Sequence, residues 1–157
     1  MALQTSGEIS VDVPRGVAFT FLQDPHRLAT CIPGCRDLRE LAPNRYSAVL
    51  STRVAFMTLS FTVTIEIVRI DPPYAIDATM TGDAVGLAGH VAANAAVRLT
   101  EDGEHRTVVQ YTTDITLTGK LGGLGQPVFR STSAQLARDF GANLKTALEA
   151  QRTGTTA

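Results

Sequence analysis

The chain is poor in several residue types at once: among its 157 residues are no tryptophan, two cysteines and three histidines, and 14 basic residues nearly cancel 15 acidic ones to leave a formal charge of −1. Each shortage removes a class of chemistry. Interspersed, balanced charge provides no field that would gather nucleic acid or anionic lipid, so no nucleic-acid partner is expected. No apolar run approaches the roughly 18 residues of a membrane span, and no basic segment leads into an apolar one at the start, so the expectation is a soluble, cytoplasmic protein. Cys31 and Cys35 flank Ile32-Pro33-Gly34. A lone C-x3-C is half a zinc site at most and lacks the C-x-x-C spacing of redox pairs, so it reads as a turn between two small, semi-buried side chains. His26, His90 and His105 form no H-x-x-x-H pair, and neither G-x-S-x-G nor H-E-x-x-H occurs, so no metal and no catalytic residue is assigned. The glycine-rich stretch Gly119 to Gly125 lies between a strand and a helix but has neither G-x-G-x-x-G nor a Walker lysine pair. No strand follows that helix, which argues against a nucleotide site.

What the sequence does contain is alternation. Leu59, Phe61, Val63, Ile65 and Ile67 interleave with Ser60, Thr62, Thr64 and Glu66, the two-residue period of a half-buried strand. Tyr46 to Val54 and Val109 to Leu117 repeat it. Strands are predicted at about 3–13, 37–42, 46–56, 59–70, 74–80, 89–100 and 105–118, joined by turn formers such as Ala42-Pro43-Asn44 and Asp71-Pro72-Pro73. Between the first two strands, Pro14 opens a short helix carrying Val17, Phe19 and Phe21, and Asp24 caps a second over Pro25 to Cys31 before Pro33-Gly34 ends it. A closing helix is predicted over 124–150, with Phe129, Ser133, Leu136, Phe140, Leu144 and Ala147 on one face. Hairpin-length connections argue for one antiparallel sheet of seven strands in a single α+β domain, residues 1–150, with a disordered tail at 151–157.

A long helix laid over such a sheet implies a sheltered cavity. The inward phase of the strand at 89–100 is Val91, Ala93, Ala95, Val97 and Leu99, and small inward side chains leave space for an apolar ligand. Candidate wall residues are Phe56, Phe61, Met80, Leu87, Tyr111, Phe129, Leu136 and Phe140, although periodicity does not separate a cavity wall from a filled core. Two glycine-rich loops, carrying Gly82 and Gly86 and then Gly122 and Gly125, are candidates for a mobile mouth. His90 shares a phase with Ala92 and Asn94, away from the core, and Glu66 and Asp114 also point outward. No buried carboxylate pair is indicated.

Asp24-Pro25 followed by Cys31-Ile32-Pro33-Gly34-Cys35, then Gly82, Thr107 with Tyr111, and Gly119 through Gly125, together resemble the CoxG family (the G subunit of carbon monoxide dehydrogenase) of the START-like, helix-grip superfamily (SRPBCC). The resemblance covers nearly the whole chain. It implies a helix-grip fold, a curved seven-stranded antiparallel sheet wrapped round the long C-terminal helix with two short helices after the first strand. It also implies a hydrophobic ligand in the cavity, a quinone such as menaquinone or a lipid. The partner it implies is an aerobic CO dehydrogenase-type molybdenum hydroxylase, with transient contact at the inner face of the plasma membrane. Some family members extend into a membrane-anchoring segment, whereas this sequence ends at Ala157. Two other roles stay open: a polyketide cyclase/dehydratase-like enzyme, for which Tyr111, Asp77 and His26 are the residues to examine, and a ligand-free recruitment or maturation factor.

Overall fold

A computed structural model describes residues 2–54, 57–86, 88–121, 123 and 125–154. Among these residues ten elements follow in chain order: β1 (Ala2–Val11), α1 (Arg15–Leu22), α2 (Pro25–Cys31), β2 (Cys35–Ala42), β3 (Arg45–Val54), β4 (Met57–Asp71), β5 (Ala75–Val85), β6 (Gly89–Glu101), β7 (Thr107–Gly119) and α3 (Gln126–Gly154). All seven strands form one antiparallel curved sheet in the order β1-β7-β6-β5-β4-β3-β2. This is the seven-stranded antiparallel sheet that the strand alternation predicts, in the helix-grip arrangement that the family resemblance implies.

The register carries one phase across six of the strands, from β1 to β3. Leu3 faces Ile115, Ile115 faces Ala93, Ala93 faces Met80, Met80 faces Ile65 and Ile65 faces Tyr46. Side chains directly opposite one another share a face, so this row and those beside it point together toward α3. Two polar pairs between β5 and β6 sit on the other face: Asp77 accepts from Arg98 at 2.6 Å, and His90 Nδ1 lies 2.9 Å from Asp83. One exposed edge, β2, carries Arg36, Asp37, Arg39 and Glu40 and two register shifts against β3, features that discourage further strand pairing.

The short helices form where their caps permit. Asp24 Oδ1 accepts the main-chain N–H groups of His26 and Arg27 at 3.1 and 3.4 Å, and Pro25 occupies the first helical position, where its missing N–H costs nothing. Pro14 sits one place earlier than expected, as the residue before α1 rather than inside it. The Arg15 guanidinium lies 4.5 Å over the Tyr74 ring and pairs with Glu101 at 3.1 Å, fastening α1 to one end of the sheet.

Two separate cores flank the middle of the molecule. One gathers Phe19, Phe21 and Leu22 of α1 with Val11, Leu99, Leu144 and Leu148; the other gathers Phe61, Val63, Val91, Leu117, Leu121 and Phe129. Helix α3 is therefore held at both ends, by Phe129 near its start and by Leu144 and Leu148, both 0% exposed, toward its finish. Its central residues Ser133, Leu136, Ala137 and Phe140 are only half-buried. The helix continues through Gly154, past the boundary expected at 150, because nothing in Gln151-Arg152-Thr153 breaks the backbone pattern. The rest of the expected tail, 155–157, lies outside the described residues.

Several boundaries shift. The strand expected to end at residue 80 runs on to Val85, so Gly82 is not in a mouth loop. It lies inside β5 on the inner face, opposite Val63 on one side and Val91 on the other. A β-carbon there would come within 2.8 Å of Val63 Cγ1 and 2.9 Å of the Thr62 carbonyl oxygen, so glycine is required for close packing rather than for a turn.

Truncation of Leu144 to alanine is expected to destabilise the fold by about 2–5 kcal/mol, and Asp24→Ala by about 1 kcal/mol through loss of the cap. Urea unfolding followed by circular dichroism reads both. A small effect at Leu144 would contradict its part in clamping the later end of α3.

Candidate functional site

Between the two cores, under the middle of α3, the interior is not filled. Three apolar compartments lie in a row. The first, of about 160 Å³, is lined by α2 and by Tyr46, Ile67, Ile76 and Phe140. The second, of about 140 Å³, lies below the start of α3 among Phe61, Met80, Phe129 and Leu136. The third, of about 320 Å³, sits between them, walled by Tyr111, Ile115, Leu136 and Phe140. Voids of this size lined by aliphatic and aromatic side chains accept apolar molecules.

The sequence-predicted wall residues fall as follows. Phe61, Met80, Phe129 and Leu136 meet in the second compartment; Tyr111, Leu136 and Phe140 meet in the central one, and Phe140 also closes the first. Phe56, Leu87 and Gly122 lie outside the described residues. Gly86 and Gly125 adopt the left-handed backbone, at φ of 81° and 97°, in neighbouring connections at one end of the sheet. Lys120 and Leu121 are pinned there, because Lys120 N–H donates to the Ala88 carbonyl at 2.8 Å and the side chain of Leu121 is fully buried.

Tyr111 owes its place to Gly7 on the neighbouring strand. A β-carbon on Gly7 would lie 2.5 Å from the Tyr111 hydroxyl, so the ring occupies the space that a side chain would take. The other two residues considered for proton transfer are elsewhere. Asp77 is on the outer face, held by Arg98 and approached by Arg69 at 3.8 Å, and the side chain of His26 is on the exposed side of α2.

No Asp, Glu, Lys, Arg or His lines any of the three compartments among the described residues. In the first compartment's wall, two groups are shifted toward their neutral forms. Burial, then the nearby carboxylates of Glu40 and Asp24, push the Tyr46 phenol up. Burial likewise pushes up the thiol of Cys35, which stands in the first compartment's wall, and that of Cys31 at the end of α2. The two cysteines are free, and among the described residues no cluster of three or more His, Cys, Asp or Glu could hold a metal.

Sequence reasoning missed the contribution of α2. Pro25, Leu28, Ala29 and the following Ile32 all face the first compartment, at the spacing of one helical face. That spacing was available as a signal. What hid it is brevity, since a seven-residue helix acquires a meaningful apolar face only when the neighbouring elements are known. Asn143 of α3 donates to the Cys31 carbonyl at 3.0 Å and ties the end of α2 to the closing helix.

The family model for CoxG, the G subunit of carbon monoxide dehydrogenase, matches residues 7–149. No curated protein sequence matches the chain. Among solved structures, a conserved protein from Geobacillus kaustophilus is 26% identical with a TM-score of 0.85, over 94% of this chain and 95% of that one. A START superfamily protein from Mycobacterium smegmatis gives 12% identity and a TM-score of 0.73, covering 93% and 97%. The Zhui aromatase/cyclase from Streptomyces sp. R1128 gives 16% and 0.71, covering 99% and 98%. The last two likenesses, at such low identity, concern the fold alone.

The raised thiols carry a pH consequence. Each is neutral in the fold at pH values where the unfolded chain, with an ordinary thiol value of 9.0, begins to ionise. Stability is therefore fully present below pH 9 and falls as pH rises beyond it. Urea midpoints measured from about pH 7 to about pH 10.5 should decline above the ordinary thiol value, and less steeply in Cys31→Ser with Cys35→Ser; identical curves for the two proteins would refute the assignment.

Proposed function

This chain belongs to the CoxG family, named for the G subunit of carbon monoxide dehydrogenase, and on that premise we propose that it is a non-enzymatic carrier of a hydrophobic small molecule. The ligand is a quinone such as menaquinone, or a lipid, held between the sheet and α3. The carrier serves an aerobic carbon monoxide dehydrogenase-type molybdenum hydroxylase, linking it to the quinone pool through transient contact at the inner face of the plasma membrane. Among the described residues no helix is long and apolar enough to cross a membrane.

The observation that carries this reading is the uncharged wall of the three compartments. Apolar surface moved out of water contributes about 25 cal/mol per Å², so shape and area alone supply affinity. Proton transfer, by contrast, needs a titratable group within about 3 Å of the reacting atom. Of the three residues considered for that work, Asp77 is engaged by arginine outside and His26 faces solvent, which leaves Tyr111 without a titrating neighbour in the compartment wall. This favours a carrier over a cyclase-like enzyme on the same fold. The unfilled volume favours a ligand-bearing protein over a ligand-free recruitment factor, whose interior has no reason to stay open.

Native mass spectrometry of the purified protein, followed by organic extraction, tests the reading. A stoichiometric quinone or lipid is expected; a protein that is empty and takes up no added menaquinone would overturn it. Phe140→Ala and Leu136→Ala should each weaken menaquinone binding about tenfold or more while leaving the protein folded. Unchanged affinity in either folded variant would remove that residue from the wall.

A further inference from the structure

Neighbouring compartments have wall residues in common. Leu28, Ile32, Ala95, Val97 and Phe140 belong to the walls of both the first and the central compartment, and Leu50, Ile115, Ser133 and Leu136 to those of both the central and the second. In each shared wall one residue is much smaller than the rest. At the first it is Ala95, whose cross-strand neighbours on the same face, Ala78 and Thr113, are small as well. At the second it is Ser133, on the half-buried middle of α3.

We infer that Ala95 and Ser133 are the specificity-determining junctions of one elongated cavity, and that its ligand is an uncharged molecule long enough to thread all three compartments. The inference rests on the carrier reading and adds to it the length and charge of what is carried. Length follows from the arrangement: a compact ligand would fill the central 320 Å³ and leave 160 and 140 Å³ empty on either side, forfeiting the contacts those walls offer. Charge follows from the walls. A carboxylate or phosphate drawn inside would meet no cationic side chain among the described residues, and an unpaired buried charge is strongly disfavoured. Replacing the small residue at a junction by leucine fills a gap rather than a packed site, so the barrier can be raised without overpacking the two cores.

Displacement of the neutral dye Nile red by 1-hexanol, 1-nonanol, 1-dodecanol and dodecanoate at about pH 8 reads both properties. For the unaltered protein, affinity should rise by about tenfold or more from hexanol to dodecanol, and dodecanoate should bind about tenfold or more weakly than dodecanol. Ala95→Leu and Ser133→Leu should each abolish most of the gain from nonanol to dodecanol, lowering dodecanol affinity far more than hexanol affinity. Ala95→Val, a smaller step with the same expected direction, covers the case in which the leucine variant does not fold, as judged by circular dichroism. The inference is overturned if the folded junction variants keep the full chain-length gain, or if dodecanoate binds as tightly as dodecanol. If the folded, unaltered protein binds no alcohol of any length, the carrier reading itself fails and this inference falls with it; alcohol binding without length dependence sinks only the inference.

Discussion

Everything about the interior depends on α3 being held at two separated places. Leu144 and Leu148, fully buried, anchor its later part against α1 and β1, while Phe129 anchors its start against Leu117 and Leu121. A rigid helix fastened at both ends cannot settle onto the sheet between them. The space below its middle is then set by the height of the two anchors and by the size of the side chains opposite. Ala78 and Ala95 are too small to fill it. A helix fastened by a single core would collapse toward the sheet, since an empty apolar void forfeits dispersion contacts on every wall.

The second organising constraint is the separation of charge from cavity by the two-residue period of the strands. Arg98 with Asp77, and His90 with Asp83, are cross-sheet neighbours on the outer face, each one position out of phase with the inner rows. A shift of register by one residue would carry these groups into the cavity and the aliphatic rows into water. The inner face is thus kept neutral by geometry, and burial reinforces it by pushing up the Tyr46 phenol and the Cys35 thiol. Such a site can bind and release an apolar molecule, and it offers little to a reaction that needs a proton moved.

Much of this was legible in the amino-acid order. The alternation through Leu59 to Ile67 announced a strand and its buried face; Asp24-Pro25 announced the start of α2, and Asp24 does cap it; Phe129, Leu136 and Phe140 announced the inward face of α3. Other features were not. Gly82 reads as a loop glycine because its neighbours Thr81, Asp83 and Gly86 are loop-like, yet it is a strand residue whose missing side chain makes room for Val63 and Val91. The apolar face of α2 could not be told from an ordinary short amphipathic turn until Ile67, Ile76 and Phe140 were found across from it.

The sequence by itself determined which side chains face inward, that this set carries no formal charge, and where α2 starts. Those are short-range properties, fixed by the period of the backbone and by caps only a few residues long. That the inward set encloses space instead of packing solid was decided by the tertiary structure alone. Volume is a property of pairs of surfaces, and here the two surfaces are brought together by contacts between residues as distant in the chain as Val11 and Leu148. Tyr111 sitting over Gly7, and Ala95 and Ser133 standing in walls shared between compartments, are consequences of that separation which no local pattern encodes.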